Sequence, residues 1–278
     1  MTQIVLSLDQ FCVNLHDKCF SIEIVVDMKR FSMILAAAAA VTFGMANAQT
    51  NANNKLFQQL ADDMVLVEGG TYEMGATPEQ GTEANEDEQP VQTMTVATFY
   101  ICKYEVTQEL WQAVMGTNPS YFKGAQLPVE HVSLDDCKAF IEKLNELTGK
   151  KYRLMTQVEW EYAARGGNKS KGYKYSGSNN PIDVAWFNAD LGVSTSVVGK
   201  KAPNELGIYD MSGNVCEWCS DKYEDLDNLL PEGDQSIYYN LRGGSWFDPS
   251  INCRVSYRNA DTSEACGYDV GLRLALSE

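Results

Sequence analysis

Thiols and carboxylates are the side chains of this sequence with the most chemistry to offer. Cys216 and Cys219 stand as Cys-Glu-Trp-Cys, and the stretch RGGSWFDPSINCR, from Arg242 to Arg254, sets Ser245 and Cys253 around an aromatic pair. Two thiolates held close together bind a soft ion such as Cu(I), and a Cys-x-x-Cys spacing in a reductive, thioredoxin-like surround supports redox exchange. Cys253 folded near Cys216 would give such a thiolate site. The competing reading is disulfides, since six cysteines follow residue 48: Cys102, Cys137, Cys216, Cys219, Cys253 and Cys266. On that reading Cys219 is bridged to Cys253, and Cys216 is bridged to Cys266 or unpaired. His131 is the only histidine after residue 48, which argues against a metal centre built on several imidazoles.

The tryptophans invite a binding role, because exposed rings stack on sugars and apolar groups. Trp111 and Trp160 lie on apolar helical faces and read as core. Trp246 and Phe247, with Asp248 and Asn252, are the candidates for a binding groove.

Three helices are written in capping signals. Thr107 precedes QELWQAVM and Gly116 stops it. Ser133 and Asp136 form a capping box ahead of Cys137, Phe140, Ile141, Leu144 and Leu147, with Gly149 as the stop. Thr156 and Glu159 repeat the device before Gly166-Gly167. MVLVEGGTYEMGA, from Met64, alternates around Gly69-Gly70 as a hairpin would, and a strand is expected around MTVATFYICKYEV. From Asn168 onward glycine, asparagine, serine and aromatics dominate, which predicts long loops pinned by rings, with a few short strands. No internal repeat or linker marks a second domain.

The first 48 residues differ in kind. Lys29 and Arg30, the apolar run from Phe31 to Met45 and Ala46-Asn47-Ala48 read as a secretory signal peptide over 28–48, cleaved after Ala48. Asp9, Asp17, Glu23 and Asp27 are the wrong charge for a region preceding such a signal, so 1–27 reads as a mis-called leader and Met28 as the natural start. The apolar run falls short of the roughly 20 residues a spanning helix needs, so no membrane span is expected after processing. The expected location is the periplasm or the exterior. Residues 49–62 form a short N-terminal segment and 63–278 one domain.

Beyond residue 48 the chain carries 19 basic and 34 acidic residues, a net charge of −15. Such a surface repels nucleic acid and anionic membrane. The acidic run EANEDEQP, Glu83 to Pro90, reads as a solvated loop.

MVLVEGGTYEMG, YEVTQELWQAVMGTNPS, YRLMTQVEWEYAARGG, NELGIYDMSGNVCEW, LRGGSW and VGLRLAL, in this order, closely resemble the formylglycine-generating enzyme family, also called the sulfatase-modifying factor family. The resemblance covers essentially the whole of 63–278. It implies an α+β domain with little regular secondary structure, a variant of the C-type lectin-like fold. It also implies copper-dependent oxidation of a cysteine in a C-x-P-x-R segment of an unfolded sulfatase, although relatives with this domain have binding and assembly roles. Active members carry two cysteines after the Gly-Gly-Ser motif, matched here by Gly243, Gly244 and Ser245. Asp248 stands where the first belongs, and only Cys253 falls near the second. Cys216 replaces a usual tryptophan and Met155 a usual proline. The resemblance further implies a calcium site from Asp210, the carbonyls of Gly213 and Val215, and Glu217.

The expectation is an exported protein that has lost the copper site and serves binding or assembly at the cell envelope, with a protein or glycan ligand. The alternative is an active or divergent oxidase of an unfolded sulfatase, which requires Cys253 to find a second thiol such as Cys216, beside Ser245.

Overall fold

The computed structural model describes residues 4–6, 24–26, 50–188, 194–224 and 236–278. The chain divides into two units, Met1–Lys55 and Leu56–Glu278. In the first, β1 (Ile4–Leu6) pairs antiparallel with β2 (Ile24–Val26). The signal-peptide reading of 28–48 lies outside the described residues. Among those described, no helix is long and apolar enough to cross a membrane. Residues 50–62, expected only as a short segment, are helical (α1), and Leu60 at the end of this helix is buried in the core.

The helices of the second unit follow their capping signals. α2 (Gln108–Met115) starts where Thr107 accepts from the Leu110 amide and stops at left-handed Gly116. α3 (Leu134–Thr148) begins with the Ser133–Asp136 capping box, and α4 (Gln157–Ala164) with the box of Thr156 and Glu159. Leu110, Trp111 and Val114 of α2 meet Cys137, Phe140, Ile141 and Leu144 of α3 in one apolar cluster, where Trp111 stacks on Phe140 at 4.7 Å. A four-residue helix, α5 (Pro181–Val184), lies in the loop region.

Two four-stranded sheets carry the rest. One runs β3 (Met64–Val67), β6 (Phe99–Cys102), β12 (Ala275–Ser277), β7 (Tyr152–Arg153), antiparallel throughout. The other runs β10 (Arg258–Thr262), β9 (Tyr238–Arg242), β8 (Cys216–Lys222), β11 (Val270–Gly271), with β11 parallel to β8. A separate pair joins β4 (Gly70–Met74) to β5 (Gln92–Val96). The hairpin expected around Gly69-Gly70 is therefore not formed. β3 and β4 enter different sheets, and Gly69 marks the parting because a Cβ there would lie 2.6 Å from the Val96 carbonyl oxygen.

Three arginines lie at the centre, each fully buried and each paired with a buried carboxylate: Arg242 with Glu161 at 2.6 Å, Arg254 with Glu88 at 2.6 Å, Arg273 with Glu217 at 2.7 Å. A buried charge survives only when paired and hydrogen-bonded, so these contacts fix the long loops much as apolar layers fix an ordinary sheet. Glu88 corrects the reading of EANEDEQP as a solvated loop. The acid sits inside the domain because Arg254 and Ser256 reach it there.

Candidate functional site

The sheet β10-β9-β8-β11 assembles the site at one end. β8 begins at Cys216, β9 ends at Arg242 and leads into Gly243-Gly244-Ser245, and β11 enters just after Asp269. The Cys216 amide donates to the Asp269 carbonyl at 2.7 Å, and that of Trp246 to the Asn214 carbonyl at 2.9 Å. Gly244 is left-handed at φ 66°, and a Cβ on it would lie 2.5 Å from the Asn252 carbonyl oxygen and 3.0 Å from the Cys253 sulfur. Only glycine lets the returning SINC segment close over this turn.

Asp248 is the hub. Its Oδ2 accepts from Ser245 Oγ at 2.7 Å and lies 4.0 Å from Cys216 Sγ, while its Oδ1 accepts from Asn252 Nδ2 at 3.0 Å. The Ser245 hydroxyl also sits 3.1 Å from Asp269 Oδ2. Asn252, expected as a groove residue, thus spends its amide orienting Asp248. Burial, with the charges of Asp248 and Asp269, pushes the Cys216 thiol well above its usual range, and burial followed by Asp248 raises Cys253.

Cys216 Sγ lies 4.0 Å from Asp248 Oδ2, whereas Cys253 Sγ contacts the Pro249 carbonyl at 4.0 Å, and the charge of Asp248 raises both thiols. The acceptors that their sulfurs meet are hard oxygens, Asp248 Oδ2 and the Pro249 carbonyl, which match a soft ion such as Cu(I) poorly. Both are buried thiols whose pKa burial and nearby carboxylate charge raise.

The disulfide expectation is also corrected, since all six cysteines from Cys102 onward are free thiols and only Cys266 is exposed. Cys216 and Cys219 lie on one strand three residues apart, so their side chains point to opposite faces. Cys216 packs in the cluster of α2 and α3, Cys219 in that of α4 and Met155. The strand removes both the redox reading of Cys-x-x-Cys and the Cys219–Cys253 bridge, because Cys253 belongs to a third cluster with Tyr175 and Phe187.

An aromatic face adjoins Asp248. Trp246 meets Phe247 at 5.5 Å and Phe122 at 5.3 Å, Tyr121 meets Tyr268 at 4.8 Å, and Trp246 Nε1 donates to the Tyr268 carbonyl at 3.1 Å. Phe247 is 63% exposed and Tyr121 64%. Phe247 is exposed and Trp246 half-buried beside it, whereas Trp111, Trp160 and Trp218 are core. Glu130, fully buried, holds the Tyr121-Phe122 loop by accepting from the Phe122 amide at 2.8 Å. Burial raises its carboxyl to about 7. Sequence reasoning misses Tyr121, Phe122, Glu130, Tyr268 and Asp269. The one available signal is the position of Asp269 directly before the VGLRLAL motif.

A second acidic centre lies on the DMSGNVCEW turn. Asp210, Gly213 and Asn214 are all left-handed, at φ 57°, 79° and 66°, and a Cβ on Gly213 would collide with the Trp186 carbonyl oxygen. Asn214 Nδ2 donates to buried Glu105 at 2.6 Å. Asp210 Oδ2 accepts from the Gly199 amide at 2.6 Å, while Oδ1 is buried without a partner. Burial raises Asp210 to about 6, and burial with the Asp210 charge raises Glu105 well above the carboxylate range. Glu217 is engaged on both oxygens, by Arg273 and by Trp160 Nε1 at 2.7 Å. The orphaned oxygen and the excess of carboxylates fit a hard cation at Asp210. Glu217 joins only by yielding one of its present donors. Among the described residues, no group of three or more His, Cys, Asp or Glu side chains forms a metal cluster.

Comparison with known proteins agrees with these features. The family model described as "Sulfatase-modifying factor enzyme 1-like domain" matches residues 49–278. The Chaperone protein LppX of Paenibacillus barcinonensis is 34% identical, over 90% of this chain and 100% of its own length. The Formylglycine-generating enzyme of Thermomonospora curvata is 26% identical, over 78% of this chain and 94% of its own. Among solved structures, Treponema denticola variable protein 1 superposes with a TM-score of 0.67 at 29% identity, over 77% of this chain and 95% of that one. On the family match over 49–278 and the full-length likeness to LppX, the chain belongs to the sulfatase-modifying factor, or formylglycine-generating enzyme-like, family.

Proposed function

We propose that this chain is a binding protein of the family, exported to the cell envelope, that presents Trp246, Phe247 and Asp248 to a protein partner in assembly or chaperoning and does not carry out the copper-dependent oxidation. The carrying observation is Asp248, a carboxylate hydrogen-bonded by Ser245 and Asn252 at the position of the first cysteine, whose charge helps raise the pKa of the Cys216 and Cys253 thiols. The full-length likeness to a protein named as a chaperone supports the same reading. The test is mass analysis of a C-x-P-x-R cysteine peptide incubated aerobically with the protein, Cu(I) and a reductant. The peptide is expected to stay unchanged. Conversion of its cysteine to an aldehyde would sink the proposal and establish the second reading, an oxidase working through Cys216 and Cys253, which the electrostatic influence of Asp248 on both thiols favours.

Calcium is the second part of the proposal. Asp210 and the carbonyls of Gly213 and Val215 would hold it, with Glu217 exchanging a donor, and its work there is to neutralise buried carboxylate charge. Without an ion, a raised Asp210 pKa means that stability falls as pH rises through about 6, because the fold favours the protonated form. Calcium binds the ionised form and reverses this loss. A chelator is therefore expected to lower the melting temperature at about pH 8 and to change it little at about pH 5, where protons occupy the site. An unchanged melt at both values removes calcium from the account.

A further inference from the structure

Three carboxyls, those of Asp248, Asp269 and Glu130, lie under the aromatic face without a lysine or arginine ion-pair partner among the described residues. Asp248 Oδ2 and Asp269 Oδ2 lie 2.7 and 3.1 Å from the same Ser245 hydroxyl. A hydroxyl has one proton, so it satisfies one of these carboxylates and leaves the other facing an oxygen. Among the described residues, no lysine or arginine forms an ion pair with either aspartate. Beneath the same face Glu130 is fully buried, its Oε2 has no hydrogen-bond partner, and Asp269 adds to the cost of its charge. Lys123, whose charge partly offsets the burial of Glu130, donates to the Asn118 carbonyl at 3.0 Å. The rings above these acids are not core: Tyr268 is 49% exposed, with Phe247 and Tyr121 more so.

Aromatic faces beside uncompensated carboxylates select one kind of group. Ring quadrupoles attract a cation over their faces, the carboxylates pair with it, and an aliphatic stem is covered by the same rings. An anionic or plainly apolar occupant would leave the acids unpaired under it, at a desolvation cost that nothing repays.

We infer that this face takes a basic side chain of the polypeptide partner, its guanidinium or ammonium lying against Asp248 and Asp269 and its stem on Trp246, Phe247 and Tyr268. The inference rests on the binding role proposed above and gives it a chemical specificity. Ser245 orients the acid pair, Asn252 fixes Asp248, and Glu130 holds the Tyr121-Phe122 loop at the rim.

The test is fluorescence anisotropy of the folded protein with a labelled peptide bearing one arginine between aromatic neighbours, beside its twin with uncharged, isosteric citrulline. The citrulline twin is expected to bind at least about tenfold more weakly, and added salt is expected to weaken the arginine peptide alone. Asp248→Asn and Asp269→Asn are expected to bring the arginine peptide down toward its twin. Equal binding of the two peptides, lost in Phe247→Ala, would overturn the cation specificity and leave the binding role standing. Failure of both peptides to bind, or binding indifferent to Phe247→Ala, would overturn the inference and the proposed surface together. Because the peptide comparison uses the unaltered protein, it holds even where an aspartate variant folds poorly.

Discussion

Arg273→Met is expected to cost on the order of 3–5 kcal/mol of folding stability in urea unfolding near pH 7, the cost of leaving a buried charge without its partner. Arg273 is fully buried and donates to both oxygens of Glu217, to the carbonyls of Cys102 and Lys103, and to that of Tyr209. Methionine fills similar volume but supplies none of these bonds. Glu217 then joins Glu105 and Asp210 as a third buried carboxylate without a basic side chain beside it, since Arg273 is the basic group that lowers the pKa of both. The pH dependence identifies the cause. Without Arg273 the folded state favours protonated carboxyls, so the deficit should shrink toward about pH 5 and widen toward about pH 8. A deficit independent of pH would mean lost packing and carbonyl bonds rather than lost charge balance. Arg273→Lys keeps the charge but not the fork that reaches Glu217 and three carbonyls at once, and should recover only part of the loss.

How much of this is legible in the sequence follows from how far apart the interacting residues lie. Helix caps act within three or four residues, and Ser133 with Asp136, Thr107 with Gly116, and Thr156 with Glu159 are all readable. The buried ion pairs join residues 56, 81 and 166 positions apart, and the one local mark on Glu88, its capping box with Asn85, which exposed Glu86 lacks, says nothing of the burial against Arg254. The run around Gly69 has a hairpin's alternation, but its two halves pair with β6 and β5 instead of each other. Cys-x-x-Cys misleads for a different reason. The spacing brings two thiols together on a helix or turn but divides them on a strand, and the residues before it give no sign that β8 begins at Cys216. Within the site, Ser245, Asp248 and Asn252 are legible because they fall within eight residues of one turn. Asp269, Tyr268, Glu130 and Tyr121 reach it through β11 and the loop before α3, which only the fold assembles.

Glu88→Gln is expected to destabilise the protein by about 3–5 kcal/mol, whereas Glu86→Gln, two residues away in the same acidic run, should fall within about 0.5 kcal/mol of the parent. Glu88 takes two hydrogen bonds of 2.6 Å from Arg254 and a further one from Ser256, all inside the domain. Burial alone would raise its carboxyl, but Arg254 and Ser256 outweigh burial and hold it below the usual range. A lowered pKa contributes stability above the unfolded value and loses it as pH falls through the folded one, so the gap between the parent and Glu88→Gln should close below about pH 4. The consequence reaches the functional site, because Arg254 ends the segment that carries Asp248, Asn252 and Cys253, and its Nε also donates to the Ile251 carbonyl at 2.9 Å. Unpairing Arg254 frees that segment to shift over Gly244, where the Asn252 carbonyl has no room to move inward. Loosening Asn252 removes the donor that orients Asp248. Glu88→Gln should therefore weaken the arginine peptide more than its citrulline twin even under conditions where the variant remains folded. A variant that loses stability but discriminates the two peptides as the parent does would show that Glu88 holds up the fold without shaping the acid pair.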